Sequence, residues 1–86
     1  MRRITFDRDA FRDFNEWARI DKKVHAKIAE MIESIRRDPF GGLNKPEPLK
    51  HQFKGKWARR ITKDDRLVYE VNDDEIVIVS CKEHYT

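Results

Sequence analysis

Arg66-Leu67-Val68-Tyr69-Glu70-Val71, then Asn72-Asp73-Asp74, then Glu75-Ile76-Val77-Ile78-Val79-Ser80-Cys81-Lys82, is the stretch that decides the fold. Two strand-length runs rich in β-branched and aromatic residues flank a polar turn, the pattern of an antiparallel hairpin. Residues 76–79 are apolar on both faces, which places this last strand inside a sheet rather than at its edge. Reading backwards, Lys63-Asp64-Asp65 is a second hairpin turn, and residues 57–62 are a third strand. Gly55 breaks the chain just before it. The C-terminal half is therefore predicted to be a run of antiparallel strands.

The N-terminal half switches from a period of two to a period of 3.6. Ile4 and Phe6 share one face of a short first strand, and Asp7 can cap the helix that follows. Ala10, Phe11, Phe14, Trp17 and Ala18 recur at helical spacing. Asp21 can cap a second helix, on which Val24, Ile28, Met31, Ile32 and Ile35 form one apolar stripe. Lys22, Lys23, Lys27, Glu30 and Glu33 lie outside that stripe. Asp38-Pro39 ends the helix, because the residue before a proline avoids the helical region. Residues 40–44 are a turn, and Pro46 and Pro48 hold the next segment extended while denying it two ladder donors. The expected order is β-α-α-β-β-β, an α+β domain over residues 1–86 with two helices packed on one face of a mainly antiparallel sheet.

Eighty-six residues allow one domain with a thin core. Charged residues make up 41% and hydrophobic residues 38%. The apolar residues fall in periodic runs, so the chain reads as globular rather than disordered. Net charge is +3, but residues 45–70 alone carry eight Lys/Arg against four Asp/Glu. That segment is a basic patch suited to a polyanion, and its cations interleave with Trp57 and Tyr69. The bland reading is a solvated face. Cys81 is the single cysteine and sits in an apolar run, so it is expected to pack as a small hydrophobe in a reducing cytosol. No apolar segment follows Met1-Arg2-Arg3 and no run reaches membrane-spanning length, so no signal peptide and no membrane association are expected.

The chemistry concentrates in Lys45-Pro46-Glu47-Pro48-Leu49-Lys50-His51. Two prolines give Glu47 the rigid mount that a general base requires, although an exposed loop carboxylate would look the same. Arg66 opens a strand on the face of Val68 and Glu70. Its guanidinium suits phosphate oxygens in a bidentate fork, and equally an ion pair with Asp64, Asp65 or Glu70. Arg59 and Arg60 are neighbours on a strand and point to opposite faces, so at most one faces the patch and the other is expected to be solvated. Lys50 and His51 carry the same ambiguity. Near the end, His84 can donate a proton near neutrality and Tyr85 can stack on a base or hold a phosphate, unless both are part of a frayed tail. His25 reads as a surface side chain, and His25, His51 and His84 lack metal-ligand spacing. A fixed carboxylate, phosphate-binding cations, a second proton carrier and an aromatic ring are together the set that RNA cleavage needs.

These segments resemble a known family. Lys-Pro-Glu-Pro-Leu-Lys-His at 45–51, Trp-x-Arg-Arg-Ile at 57–61, Arg-Leu-Val-Tyr at 66–69 and His-Tyr at 84–85, with Arg-Arg-x-Pro-Phe at 36–40, are similar to the YoeB/Txe toxins of the RelE superfamily, from bacterial type II toxin–antitoxin systems. Thr86 departs from the pattern by extending past the His-Tyr end.

The resemblance implies a RelE-like, microbial-ribonuclease-like fold and a cytoplasmic, metal-independent endoribonuclease without a cofactor. It implies an enzyme that cuts mRNA in the A site of the 70S ribosome and leaves 2′,3′-cyclic phosphate or 3′-phosphate and 5′-hydroxyl ends. It implies a YefM/Axe-like antitoxin as partner, with operator DNA bound only through the antitoxin complex. A homodimer is compatible with it. By match to the motif, Glu47 is the expected general base, His84 the general acid and Arg66 the transition-state stabiliser, with Tyr85, Lys50, His51 and Arg60 assisting. The alternatives are a ParE-like toxin that binds gyrase without catalysis, which lacks the Glu/His pair, and a nucleic-acid-binding module on the same fold.

Overall fold

A computed structural model describes residues 2–44 and 46–82. Five strands form one sheet in the order β1-β5-β4-β3-β2, where β1 is Arg3–Phe6, β2 Glu47–Pro48, β3 Lys56–Arg60, β4 Arg66–Val71 and β5 Glu75–Ser80. The helices α1 (Arg8–Ile20) and α2 (Lys22–Arg37) lie between β1 and β2 in the chain. β5 is flanked by β1 on one side and β4 on the other, as its two apolar faces require. It pairs parallel with β1, with Ile4 opposite Ile76 and Phe6 opposite Ile78, while the other three pairings are antiparallel.

The prolines did not keep residues 47–48 out of the sheet. Proline cannot donate to a ladder but tolerates an edge, and β2 is the edge, two residues long and paired only with β3. This adds a strand to the expected β-α-α-β-β-β order.

The core lies between the helices and one face of the sheet. Ala10 and Trp17 of α1 and Ile28, Met31, Ile32 and Ile35 of α2 are buried against Ile61, Leu67, Tyr69, Ile76, Ile78 and Cys81. Each such Ile or Leu contributes about 1.5–3 kcal/mol on burial. Trp17 also donates its indole N–H to the Cys81 carbonyl at 2.9 Å, tying α1 to the end of β5. Cys81 is fully buried, and burial pushes its thiol pKa up to about 12, so it packs as an inert hydrophobe.

The helix starts differ. Asp21 accepts from the backbone N–H groups of Lys23 and Val24 at 3.1 and 3.2 Å and caps α2. Asp7 stands at the N-cap of α1 but makes no side-chain capping bond, against expectation. His25 is half-buried with its ring 4.3 Å from that of Phe14, rather than a free surface side chain. Among the described residues, no helix is long and apolar enough to cross a membrane.

Candidate active site

Strand alternation sorts the basic segment onto two faces. Trp57, Arg59 and Ile61 on the β3 side, and Leu67 and Tyr69 on β4, point toward the helices. Ala58, Arg60, Arg66 and Val68 point to the open face. Register then builds a site. Arg60 lies directly opposite Arg66, Ala58 opposite Val68, and Glu47 on the edge strand opposite Ala58. Directly paired residues share a face with Cβ atoms about 5 Å apart. A cleft of about 420 Å³ results, lined by Asn44, Glu47, Ala58, Arg60 and Arg66.

Each lining residue is held by its surroundings. Glu47 sits between two prolines in the short β2, and the Leu49 N–H donates to the Lys56 carbonyl at 2.9 Å just beyond it. The two arginines flank the β3–β4 turn. There Thr62 Oγ1 donates to Asp65 Oδ2 at 2.7 Å and accepts from the Asp64 and Asp65 N–H groups, both at 3.1 Å. Ile61 is buried at the base of this turn, and Lys27 of α2 donates to its carbonyl. The turn is therefore anchored to the helix layer.

Electrostatically, the arginine pair is unfavourable by itself. Like charges directly opposite on a sheet repel. No carboxylate pairs with Arg60 or Arg66 among the described residues; Arg66 Nη1 reaches only the Asp65 carbonyl, at 3.4 Å. The ion pair considered for Arg66 with Glu70 does not form, because Glu70 pairs with Lys56 at 3.5 Å. Two guanidinia without a carboxylate partner among the described residues, beside the Glu47 carboxylate in the same cleft, can hold a phosphodiester and accept a proton from a group attached to it.

Of the other candidates, the two that are described are not gathered here. Lys50 and His51 are exposed and lie outside the cleft lining, His51 in a single 3₁₀ turn (His51–Phe53) with φ 58°. His84 and Tyr85 lie outside the described residues. The aromatic interleaving does not reach the open face: Trp57 packs against Phe40 in a tilted contact with ring centroids 5.1 Å apart, and Tyr69 is fully buried.

Arg60 is the arginine that faces the cleft. Arg59 is not the solvated side chain expected but is fully buried. Its guanidinium donates to Tyr69 Oη at 3.1 Å, Ser34 Oγ at 3.3 Å, the Leu43 carbonyl at 2.8 Å and the Asp38 carbonyl at 2.9 Å. Tyr69 in turn donates to the Pro39 carbonyl at 2.6 Å. Burial raises the Tyr69 phenol above its ordinary pKa, and the hydrogen bond from Arg59 partly offsets this. This hub clamps the 38–43 loop, and with it Asn44, to the sheet. The sharing of one face by Trp57, Arg59 and Ile61 is the sequence signal that marks Arg59 as interior.

A family model described as the YoeB-like toxin of bacterial type II toxin–antitoxin systems matches residues 6–85. Toxin YoeB of Escherichia coli is 45% identical over 83 residues, 96% of this chain and 99% of the relative. The solved YoeB dimer from Staphylococcus aureus superposes with a TM-score of 0.90 at 45% identity, covering 98% of both chains. The toxin in a YoeB–YefM complex from the same organism gives 0.89 at 43% identity, covering 99% of both.

Proposed function

The chain belongs to the YoeB-like toxins of bacterial type II toxin–antitoxin systems, and on that premise we propose that it is an endoribonuclease that cuts mRNA in the ribosomal A site and is neutralised by a YefM-like antitoxin. The observation that carries the reading is the convergence of Glu47, Arg60 and Arg66 on one open cleft. In the proposed reaction Glu47 takes the proton of a ribose 2′-hydroxyl, and the 2′-oxygen forms a bond to the adjacent phosphorus. Arg66 and Arg60 stabilise the charge that grows on the phosphoryl oxygens. The bond from phosphorus to the 5′-oxygen breaks, and His84 supplies the proton to the departing oxygen. Tyr85 holds the scissile nucleotide. Lys50 and His51, on the exposed turn beside β2, bind the flanking backbone. The products are a 2′,3′-cyclic phosphate and a 5′-hydroxyl.

The described lining of the cleft offers few base-reading groups, so a flexible strand must be ordered by something else; positioning accounts for much of the rate in such a reaction. The ribosome supplies that order. Toeprinting on translating ribosomes tests this: cuts appear in the A-site codon, and Glu47→Gln loses on the order of a hundredfold or more. A 5′-phosphate on the downstream fragment, or full activity on a 2′-deoxy substrate at the cut site, refutes the 2′-oxygen mechanism. Equal rates on naked and ribosome-bound transcript remove the ribosome from it.

A further inference from the structure

Asn44 lines the cleft beside Glu47, Arg60 and Arg66, and it adopts φ 63°. Asparagine tolerates this left-handed conformation, which by itself would be a sufficient reason for its presence. Three observations go further. First, glycine fills such positions at less steric cost, and this chain uses glycine at 42 (φ 88°) and 55 (φ 96°). At 44 it places a side chain instead. Second, asparagine in a turn ordinarily bonds its own backbone N–H two residues on. Here that residue is Pro46, which has no N–H. The usual local partner is missing. Third, the residue is aimed. Arg59 holds the Leu43 carbonyl at 2.8 Å, and a Cβ on Gly42 would meet Ser34 Oγ at 2.9 Å, so the chain is clamped on the N-terminal side of Asn44. Pro46 stiffens the other side.

Among the cleft-lining side chains, Glu47, Arg60 and Arg66 are charged and Ala58 is apolar. Among the described lining residues, Asn44 is the neutral one that offers a donor and an acceptor side by side. We propose that Asn44 is a specificity-determining residue that reads one base edge of the RNA through its carboxamide. The best match is adenine, whose adjacent N6 donor and N7 acceptor pair with an asparagine carboxamide in two hydrogen bonds. Single-stranded RNA exposes such edges when its bases are splayed out of the stack. This inference rests on the cleavage reading above.

The test compares kcat/KM on ribosomes programmed with A-site codons varied at each base, for the parent protein, Asn44→Gly and Asn44→Asp. Glycine fits φ 63° and aspartate also tolerates it, and an unchanged urea midpoint verifies that each variant is folded. At one codon position the parent prefers adenine. Asn44→Gly lowers that preference on the order of tenfold, the scale of one bidentate base contact. Asn44→Asp, which replaces the donor by an acceptor, moves the preference at that position toward guanine, whose Watson–Crick edge offers two adjacent donors. If the parent does not cleave, the enzymatic reading falls, and this inference with it. If the parent cleaves but both folded variants keep its base preference, or if Asn44→Gly is folded and inactive on every codon, the cleavage reading stands and the specificity role is overturned.

Discussion

Replacing Arg59 by methionine tests whether the buried guanidinium acts as a clamp. Methionine keeps most of the side-chain length and removes every donor. Serine 34 can rotate its hydroxyl, and Tyr69 retains its bond to the Pro39 carbonyl. The Leu43 carbonyl has no such recourse, and the Asp38 carbonyl keeps only a long bond from the Gly41 N–H, at 3.4 Å. They accept from Arg59 at 2.8 and 2.9 Å, so Leu43 becomes an orphan in a partly buried loop and Asp38 is left weakly held. An orphaned buried acceptor costs about 1–3 kcal/mol and the weakened one a fraction of that, so the two together cost roughly 2–4 kcal/mol. Working against this, no carboxylate contacts Arg59 among the described residues, and removing a buried charge relieves a desolvation penalty that relaxation partly reduces. The clamp expects the lost hydrogen bonds to outweigh this relief, for a net loss of about 1–2 kcal/mol. For a domain of this size each kcal/mol moves the melting temperature by roughly 4–8 °C, so Tm falls by about 4–16 °C.

Urea denaturation followed by tryptophan fluorescence measures this directly, with the slope of the transition unchanged. Arg59→Lys separates charge from geometry. Lysine retains the cation and its desolvation cost but loses the planar fork, so it should be no more stable than the methionine variant. Amide exchange of residues 40–44 should rise in both. A methionine variant within ~0.5 kcal/mol of the parent, or a lysine variant restored to parental stability, would refute the clamp.

Two further outcomes follow from the same geometry. Arg60→Thr removes a like-charge pair facing Arg66 and introduces a good strand former, so it should raise stability by roughly 0.2–1 kcal/mol while lowering cleavage. The gain should shrink with added salt, and a loss of stability would show that the two guanidinia are compensated in the folded chain. Cys81 titrates at about 12 in the fold against an ordinary thiol value of 9.0, because burial disfavours the thiolate. Its contribution is fully present below pH 9 and is lost as pH climbs toward 12. Tyr69, raised by the same cause, adds to the decline above pH 10. The fall in unfolding free energy with pH should be shallower in Cys81→Ala, and identical slopes for the two proteins would remove the thiol from the alkaline transition.

Much of the fold could be read from the sequence because local pattern and tertiary context agree. Residues 76–79 are apolar on both faces, and β5 sits between two neighbouring strands. Residues 24–35 carry one apolar stripe, and α2 packs along it. Disagreement begins where a nonlocal partner decides. Asp7 and Asp21 are the same residue type before a helix, but only Asp21 turns its carboxylate onto the backbone. The prolines at 46 and 48 argued against a strand, yet an edge position asks nothing of their missing N–H groups.

The site divides along the same line. Glu47, Arg60 and Arg66 could be named because their residue types carry chemistry, and alternation with register was enough to gather them. Trp57 and Tyr69 read as part of the patch when taken with the cations around them, but they belong with Ile61 and Leu67, whose face they share. Of Arg59 and Arg60, the one turned away from the patch reads as solvated, because an arginine is seldom buried without a carboxylate; Arg59 is that one, and it is buried. Its partners are carbonyls and hydroxyls 10 to 25 positions away in the chain, and main-chain carbonyls are invisible in a one-letter string. Asn44 escaped for a related reason. Its significance comes from a positive φ, from a proline that denies it a local bond, and from a loop clamped by Arg59. The residue at 46 was legible, but the conformation at 44 was not. A reading that asks of every turn asparagine whether position i+2 can donate would have singled out Asn44 from the sequence, since its loop leads directly into the carboxylate between two prolines.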